Sequence, residues 1–346
     1  MNIAIIGGTG FIGGQVTAQL AALGHRLLVF HRGKQPSLVL PNIISLVGER
    51  QTLFSHTVAF RRFDPQVVID VIGYSRRDAC ELVATFRDTA ARIIVLSSVD
   101  VYRNRSGFFG HSEALPDLAP FTEATPLRTR FYPYADHTKP FDPEATYEKI
   151  HVEDTIRRSL PGRTTILRLA AVYGPGDHQH RLWPYLKRML DQRPFILLET
   201  TQANWSWTRV YVENAAAAIV AAALRDDARE EIFNVGESTA PTEHTWVTRL
   251  AELTGWAGRI LTLPNASLPT HLRTTYDWSY GFAMNCDKLR TALKHTAPVC
   301  PAFALRHTVE WETANPPPTS GSAQFNYSGE DAAIEAFAVQ NRKPKD

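Results

Sequence analysis

A glycine-rich turn that follows directly on a short apolar run constrains this chain more than any other feature. The apolar run is Asn2–Ile6, and it is typical of a parallel strand buried on both faces. It is followed by the turn Gly7-Gly8-Thr9-Gly10-Phe11-Ile12-Gly13, after which helical spacing of apolar residues continues as far as Leu23. A strand, a glycine turn and a helix in this order predict the first unit of a parallel α/β sheet.

The rest of the first half continues the alternation of strands and helices. A helix is predicted over Asp78–Ala90 and a longer one over Asp142–Leu160, with Asp142 as its N-cap and Pro143 in its first turn. Further apolar runs predict strands at Arg26–Phe30, Ile43–Val47, Val67–Ile72, Ile93–Leu96 and Thr164–Leu169. This alternation predicts a doubly wound parallel sheet that is covered by helices on both faces.

The pattern divides the chain into three parts. Residues 1–172 form the predicted nucleotide-binding domain, in which the aperiodic stretch Arg103–Phe141 is a lid, a binding loop or an insertion. Residues 173–312 mix helices with short strands and predict a smaller α/β substrate domain, parts of which can return to the first sheet. Residues 313–346 contain a proline run and predict a mobile tail with one short helix near Asp331–Val339.

Composition excludes several classes of protein. With 44% hydrophobic and 21% charged residues among 346, the chain is not disordered throughout. A net charge of +2 gives no strong nucleic-acid signal. The cysteines Cys80, Cys286 and Cys300 lie too far apart for a disulfide framework or a structural zinc site, so no metal is expected. No apolar run is long enough to cross a membrane, and a cytoplasmic enzyme is expected.

The spacing of the glycines predicts a dinucleotide site. One glycine makes the tight turn, one lets backbone N–H groups approach a pyrophosphate, and one lets helix and strand pack closely. The alternative is a purely structural turn, but the position between a strand and a helix favours binding. The cofactor-binding residues predicted from the turn and from the end of the fourth strand are Gly7, Thr9, Gly10, Phe11, Ile12, Gly13, Ile72 and Gly73.

The end of the second strand bears on the choice of cofactor. A site for NAD has an Asp or Glu here for the ribose 2′-hydroxyl, but this strand ends in His31 and Arg32 with Lys34 shortly after. An arginine near this position accommodates a 2′-phosphate, so the sequence favours NADP over NAD, with His31 and Arg32 at the cofactor. An ordinary basic surface turn is the alternative.

Other segments occur in an order that resembles a known superfamily. They are SSVDVY from Ser97, RLAAVYGPGD from Arg168, RVYVENAA from Arg209 and FNVG from Phe233. With the glycine turn, they resemble the extended short-chain dehydrogenases/reductases of the NAD(P)-dependent epimerase/dehydratase type, over about residues 1–312. The resemblance implies a Rossmann domain and hydride transfer on a nucleotide-linked sugar or a related carbonyl or carbinol. A homodimer is a further option in this family.

The resemblance also implies a catalytic set: a Ser or Thr, a Tyr, and a Lys four residues after the Tyr. Ser98 matches the first and Lys149 the last, but Ala145 stands four residues before Lys149. Tyr147 is followed after four residues by His151 instead of a lysine. At about 100° per residue, Tyr147 and Lys149 would lie on opposite faces of a regular helix. The predicted catalytic residues are therefore Ser98, Lys149 and a tyrosine that the pattern alone does not fix.

Three interpretations remain open. Tyr147 reaches the site through an irregular start of its helix; or Tyr132, Tyr134 or Tyr74 replaces it; or the protein binds the cofactor without ordinary redox chemistry. We list Tyr147 and Tyr134 as the candidates for the acid. The third interpretation corresponds to a regulatory or RNA-associated nucleotide-binding protein on the same scaffold.

Three weaker signals lie outside this set. The resemblance places Arg209 at the phosphate of a nucleotide-linked substrate, although an arginine at the edge of the core fits the sequence equally well. His178 and His180 have a spacing that suits a metal on a strand, but the sequence offers no third ligand. Asp100, beside Ser98, is either a second acid/base or a cap at the strand end.

Overall fold

A computed structural model describes residues 1–34, 39–89, 91–111, 114–137, 143–318 and 325–340. Its centre is a parallel sheet of seven strands in the order β3-β2-β1-β4-β5-β6-β10. The strands are β1 (Asn2–Ile6), β2 (Arg26–His31), β3 (Ile43–Val47), β4 (Val67–Asp70), β5 (Arg92–Ser98), β6 (Thr164–Leu169) and β10 (Ile232–Val235). This order confirms the predicted Rossmann fold, with the strand order reversing between β1 and β4.

Helices cover both faces of the sheet and separate two hydrophobic cores. One core holds α1 (Phe11–Ala22) and α7 (Val212–Leu224), which pack against each other. The other holds α2 (Thr57–Phe63), α3 (Arg76–Phe86) and α5 (Lys149–Ser159). Because parallel strands between helices are buried on both faces, β1 and β4 are almost wholly apolar, as predicted.

The second half adds smaller elements beside the main sheet. Two parallel pairs of strands form here, β7 (Ala171–Tyr173) with β9 (Arg209–Tyr211), and β8 (Phe195–Glu199) with β11 (Arg259–Leu263). The remaining helices are α4 (Asn104–Phe108), α6 (Trp183–Leu190), α8 (Glu243–Thr254), α9 (Asp287–Ala292), α10 (Pro301–Ala314) and α11 (Tyr327–Gln340). The division between domains at residue 172 stays a prediction, and β10 is a segment that returns to the main sheet.

Part of the segment that the sequence predicts to be a mobile tail is a docked helix. In α11, the buried Glu330 forms an ion pair with the buried Arg188 and also contacts His271. Ile334 and Phe337 pack against a small apolar cluster of the second half. The pattern reveals a helix near Asp331–Val339, but the partners of Glu330 lie 59 and 142 residues earlier in the chain.

The helix that carries Tyr147 and Lys149 does not have its predicted bounds. Asp142, the predicted N-cap, lies outside the described residues. A single 3-10 turn covers Pro143–Thr146, the chain is extended at Glu148, and α5 begins only at Lys149. The prediction of one regular helix over Asp142–Leu160 is therefore wrong.

Within the described ranges, no helix has the length and apolar character needed to span a membrane.

Candidate active site

The glycine turn has the geometry that a dinucleotide requires. Gly7 has a φ of +86°, a conformation that L side chains rarely adopt. A Cβ on Gly13 would lie 2.1 Å from the Gly7 carbonyl oxygen, so only glycine lets α1 approach β1 this closely. A Cβ on Gly10 would meet nothing nearer than 3.7 Å, and no side chain caps the start of α1 there. The first N–H groups of α1 thus have no side-chain cap, which leaves them available to an anion.

The end of β2 presents a neutral histidine and an exposed arginine. The buried His31 imidazole accepts a hydrogen bond from the Gly33 N–H (3.1 Å) and contacts the Ser45 hydroxyl (2.7 Å) through its other nitrogen. Burial lowers the pKa of His31, so it is neutral at pH 7. Arg32 points to solvent beside it. Neither β2 nor the described turn after it, as far as Lys34, contains a carboxylate.

A buried ion pair fixes the predicted cofactor segment at the end of β4. Asp70 is fully buried; one of its carboxylate oxygens contacts the Arg50 guanidinium at 2.7 Å, and the other accepts a hydrogen bond from the Ile72 N–H at 3.1 Å. A Cβ on Gly73 would lie 2.8 Å from that carboxylate, which explains the glycine. The sequence analysis missed Arg50, because no spacing rule connects it to Asp70.

The partly buried Asp100 carboxylate, whose side chain is 13% exposed, lies at the centre of the candidate catalytic residues. The Tyr134 hydroxyl donates to Asp100 at 2.7 Å, and the Tyr147 hydroxyl lies 3.4 Å from the same oxygen. The Asp100 N–H donates to the Ser98 hydroxyl at 3.1 Å. Arg105 pairs with Asp100 at 3.3 Å and donates to the Tyr134 hydroxyl at 2.6 Å. The structure thus brings together Ser98, Tyr134 and Tyr147, and adds Arg105, which the sequence analysis missed.

The charges of this group follow from burial and from Arg105. Burial alone would raise the pKa of Asp100, but the Arg105 guanidinium and the Tyr134 hydroxyl outweigh it and hold the pKa below its usual range. Burial, reinforced by the Asp100 carboxylate, raises the pKa of both Tyr134 and Tyr147 well above normal. At neutral pH the site therefore holds one carboxylate and two protonated phenols.

Lys149 lies at the junction of this group with the cofactor segment. Its side chain is 3% exposed, and Nζ donates to the carbonyl oxygens of Gly73 and Leu96, both at 2.7 Å. Nζ lies 4.8 Å from the centre of the Tyr74 ring and 5.9 Å from that of Tyr147. Burial lowers the pKa of Lys149 to about 8, although nearby carboxylates oppose the shift. An amine in this state is typical of functional sites.

The extended residue between them explains how Tyr147 and Lys149 reach one site. Glu148 has φ −156° and ψ 92°, and in an extended segment the residues on either side of a position point to the same face. The irregular helix start, one of the open alternatives, is thus present. Of the other tyrosines considered, Tyr74 lies over Lys149, whereas the half-exposed Tyr132 packs beside His151.

The weaker signals find structural partners. The buried Arg209 forms an ion pair with Glu243 and lies 4.4 Å from the Trp246 ring centre, so its charge is compensated inside the protein. This favours the arginine of a core edge over a phosphate ligand. His178 packs against Phe11 of the glycine turn, and His180 pairs with the buried Glu312 at 2.7 Å. The described residues contain no group of three or more potential metal ligands.

The fold and the glycine turn are those of a Rossmann dinucleotide-binding domain, and the buried Lys149 lies against the predicted cofactor segment at Gly73. The model of the NAD dependent epimerase/dehydratase family matches residues 3–236, and the chain belongs to that family.

Individual relatives are more distant. A 2′-dehydrokanamycin reductase from Streptomyces kanamyceticus is 26% identical over 238 residues, 66% of this chain and 60% of the relative. Among solved structures, dTDP-glucose 4,6-dehydratase from Bacillus anthracis with NAD has a TM-score of 0.68 at 17% identity, covering 91% of this chain and 97% of its own. UDP-glucose 4-epimerase from Thermotoga maritima with UDP-glucose has a TM-score of 0.68 at 19% identity, covering 91% and 99%. These likenesses show the fold.

Proposed function

We propose that this protein transfers a hydride between nicotinamide and a carbinol or ketone carbon of a sugar-like substrate. The observation that carries the proposal is the position of Lys149, which is buried against the Gly73 carbonyl beside two tyrosines that share Asp100. The bound nicotinamide dinucleotide would supply the hydride acceptor or donor. The glycine turn, Ile72 and Gly73 would hold it, and the Lys149 ammonium would bind its ribose.

The proton chemistry belongs to the chain's own residues. When a ketone is reduced, a phenol gives its proton to the substrate oxygen, and Ser98 orients that oxygen. Asp100 holds both phenols in place. Arg105, which donates to the Tyr134 hydroxyl, stabilises negative charge that develops there. Tyr134 and Tyr147 are therefore the candidates for the acid, as in the sequence-based prediction.

Removing either hydroxyl separates the two candidates. Of the two variants Tyr147→Phe and Tyr134→Phe, we expect the one that removes the acid to lower turnover by roughly 10²-fold or more. The other variant should lower turnover less, because it only removes a contact to Asp100. Tyr132→Phe, a half-exposed tyrosine of the same loop, is the control. Turnover is followed by nicotinamide absorbance. Equal turnover in all three variants would contradict the assignment of a tyrosine as the acid.

The substrate is proposed from two kinds of relative. The epimerase above was solved with UDP-glucose, which supports a nucleotide-linked sugar, and the 2′-dehydrokanamycin reductase supports a substrate similar to dehydrokanamycin. The burial and pairing of Arg209 weaken the first option, because this arginine is not free to bind a diphosphate. Incubation with NAD or NADP and, separately, UDP-glucose, dTDP-glucose or kanamycin would show which carbinol is oxidised. Cofactor binding without oxidation of any of them would favour the regulatory alternative, which the absence of Tyr-x-x-x-Lys supports.

The cofactor preference is tested at Arg32. We expect NADPH to bind more tightly than NADH, because Arg32 is exposed at the end of a strand that lacks a carboxylate. Arg32→Ala should weaken NADPH binding about tenfold and leave NADH binding nearly unchanged, as measured by nicotinamide fluorescence. Arg62→Ala, which removes the same charge from an exposed face of α2, should change neither affinity. Tighter NADH binding by the wild type would refute the preference.

Two further expectations belong to this proposal. A cytoplasmic location is supported by the three cysteines, none of which forms a disulfide. A homodimer stays a prediction from the resemblance.

A further inference from the structure

Arg128 and Glu148 form an ion pair from which solvent is fully excluded. Both side chains are 0% exposed, and two parallel hydrogen bonds of 2.7 and 2.8 Å join the guanidinium to the carboxylate. Arg128 lies in the aperiodic loop, and Glu148 is the extended residue between Tyr147 and Lys149. The bidentate geometry is the strongest form of this interaction.

The pair joins the segments that surround the catalytic group. Arg128 also donates from Nε to the Asp100 carbonyl oxygen at 2.8 Å. The Glu148 carboxylate accepts from the N–H groups of Ile150 (2.8 Å) and Tyr132 (2.7 Å), and the Glu148 N–H donates to the Tyr74 carbonyl oxygen (2.8 Å). The carboxylate therefore holds the loop at Tyr132 and the start of α5 at Ile150. Through Arg128 it is also linked to the backbone at Asp100.

These contacts determine where α5 begins. Because the Glu148 side chain caps the Ile150 N–H and its own N–H is bonded to the Tyr74 carbonyl in the segment after β4, the residue stays extended and the helix starts after it. With Glu148 inside a regular helix, Tyr147 and Lys149 would point in opposite directions. With Glu148 extended, both point toward Asp100 and Gly73.

We propose that Arg128 and Glu148 are positioning residues, whose buried pair sets Tyr147 and Lys149 on one side of the chain in place of the usual tyrosine and lysine one helical turn apart. The inference rests on the proposed function for its consequence in catalysis. The placement itself is a property of the chain and is testable without a substrate.

General stabilisation does not explain the pair. Removing two charges from water costs free energy that their attraction only partly returns, and apolar residues of similar volume often stabilise a core at least as well. The same chain has another deeply buried pair, Arg188 with Glu330, which docks α11. That pair is also a buried arginine with a glutamate, and the contacts described for it lie outside the candidate active site. It therefore provides a matched control.

The experiment measures the state of Lys149 directly. The full chain is acetylated with traces of acetic anhydride over a range of pH, and the extent of modification at Lys149 is quantified by mass spectrometry. The variants are Glu148→Gln, which keeps the shape and removes the charge, and Arg128→Lys, which keeps the charge and removes the bidentate fork. Arg188→Lys is the control. Each variant is studied at low temperature, and its circular dichroism spectrum is compared with that of the wild type to show whether it is folded.

In the wild type we expect the midpoint of modification to lie near the lowered pKa of about 8. We expect it to rise by about one pH unit or more in both active-site variants, as Nζ leaves its buried position, and to stay in place in Arg188→Lys. The affinity for NADPH should fall about tenfold in the same two variants. A wild type that binds neither NADH nor NADPH but shows the shifted midpoints would refute the proposed function and leave the positioning role intact.

Two results would overturn the positioning role. One is an unchanged midpoint in folded Glu148→Gln or folded Arg128→Lys, which would mean that Lys149 holds its place without the pair. The other is loss of native structure in both variants while Arg188→Lys folds, which would make the pair a general stabiliser.

Discussion

Replacing Gly13 with alanine should greatly weaken dinucleotide binding and lower the thermal stability of the protein. The new Cβ would lie 2.1 Å from the Gly7 carbonyl oxygen and 2.9 Å from the carbonyl carbon. Both are backbone atoms of the turn, so α1 and β1 must move apart. We expect a loss of about 1–3 kcal/mol in the free energy of unfolding from overpacking. NADPH affinity should fall roughly a hundredfold or more, since the turn is the proposed pyrophosphate site.

The neighbouring glycine offers a control within the same helix. A Cβ on Gly14 would meet nothing nearer than 3.8 Å, an ordinary contact distance. Gly14→Ala should therefore bind NADPH like the wild type. Its free energy of unfolding should be higher by about 0.5–1 kcal/mol, because alanine favours the helix. Thermal unfolding and titration of nicotinamide fluorescence measure both variants. If Gly13→Ala bound NADPH like the wild type, the turn would not be the dinucleotide site.

The fold was open to prediction because local pattern and global architecture agree in the first half. The apolar runs that end at Ile6 and Leu169 are strands with the predicted bounds, and the glycine turn joins β1 to α1 as its spacing implies. A parallel sheet buries both faces of each strand, so its strands are visible in sequence as apolar runs. The docking of α11 depends on ion pairs with residues far away in sequence, and pattern alone does not reveal it.

The sequence names several residues that the structure brings together, but it does not predict their geometry. Ser98, Tyr134, Tyr147 and Lys149 lie near one another, and their catalytic roles stay predictions, whereas a regular helix would have separated Tyr147 from Lys149. The break depends on Arg128, whose partner lies 20 residues later in the chain. An arginine in an aperiodic loop carries no signal of this kind, and the same holds for Arg105. Arg209 shows the converse, since its motif suggests a ligand role whereas its buried partner Glu243 indicates packing.

Replacing Lys149 with methionine should give a protein that is more stable near neutral pH and binds NADPH at least tenfold more weakly. Burial lowers the pKa of Lys149 from 10.5 to about 8, so between these values the unfolded chain holds a proton that the native chain does not. Wild-type stability attributable to Lys149 therefore rises with pH through this window. Below pH 8 the buried lysine lowers the free energy of unfolding by about 3 kcal/mol, which is the full free-energy equivalent of the pKa shift.

The methionine variant lacks this pH dependence. Its advantage over the wild type in the free energy of unfolding should be largest at pH 7 and should shrink as the pH approaches 10, as measured by urea unfolding. Lys288→Met is the control for nucleotide binding. Lys288 is partly exposed, and its polar contacts within the described residues are with Glu231 and the Ile232 carbonyl oxygen, away from the candidate catalytic residues. Unchanged NADPH affinity in Lys149→Met would remove the lysine from the cofactor site.

A gain in stability together with a loss of binding is the combination that distinguishes a functional lysine from a structural one. A structural lysine is retained because its contacts stabilise the fold, so its removal lowers stability whatever it does to ligand affinity. A lysine that is buried at a net cost has no such reason to occupy its place, and natural sequences keep such residues where activity requires them. Between the Gly73 and Leu96 carbonyls, beside the two phenols on Asp100, the ammonium of Lys149 meets this description.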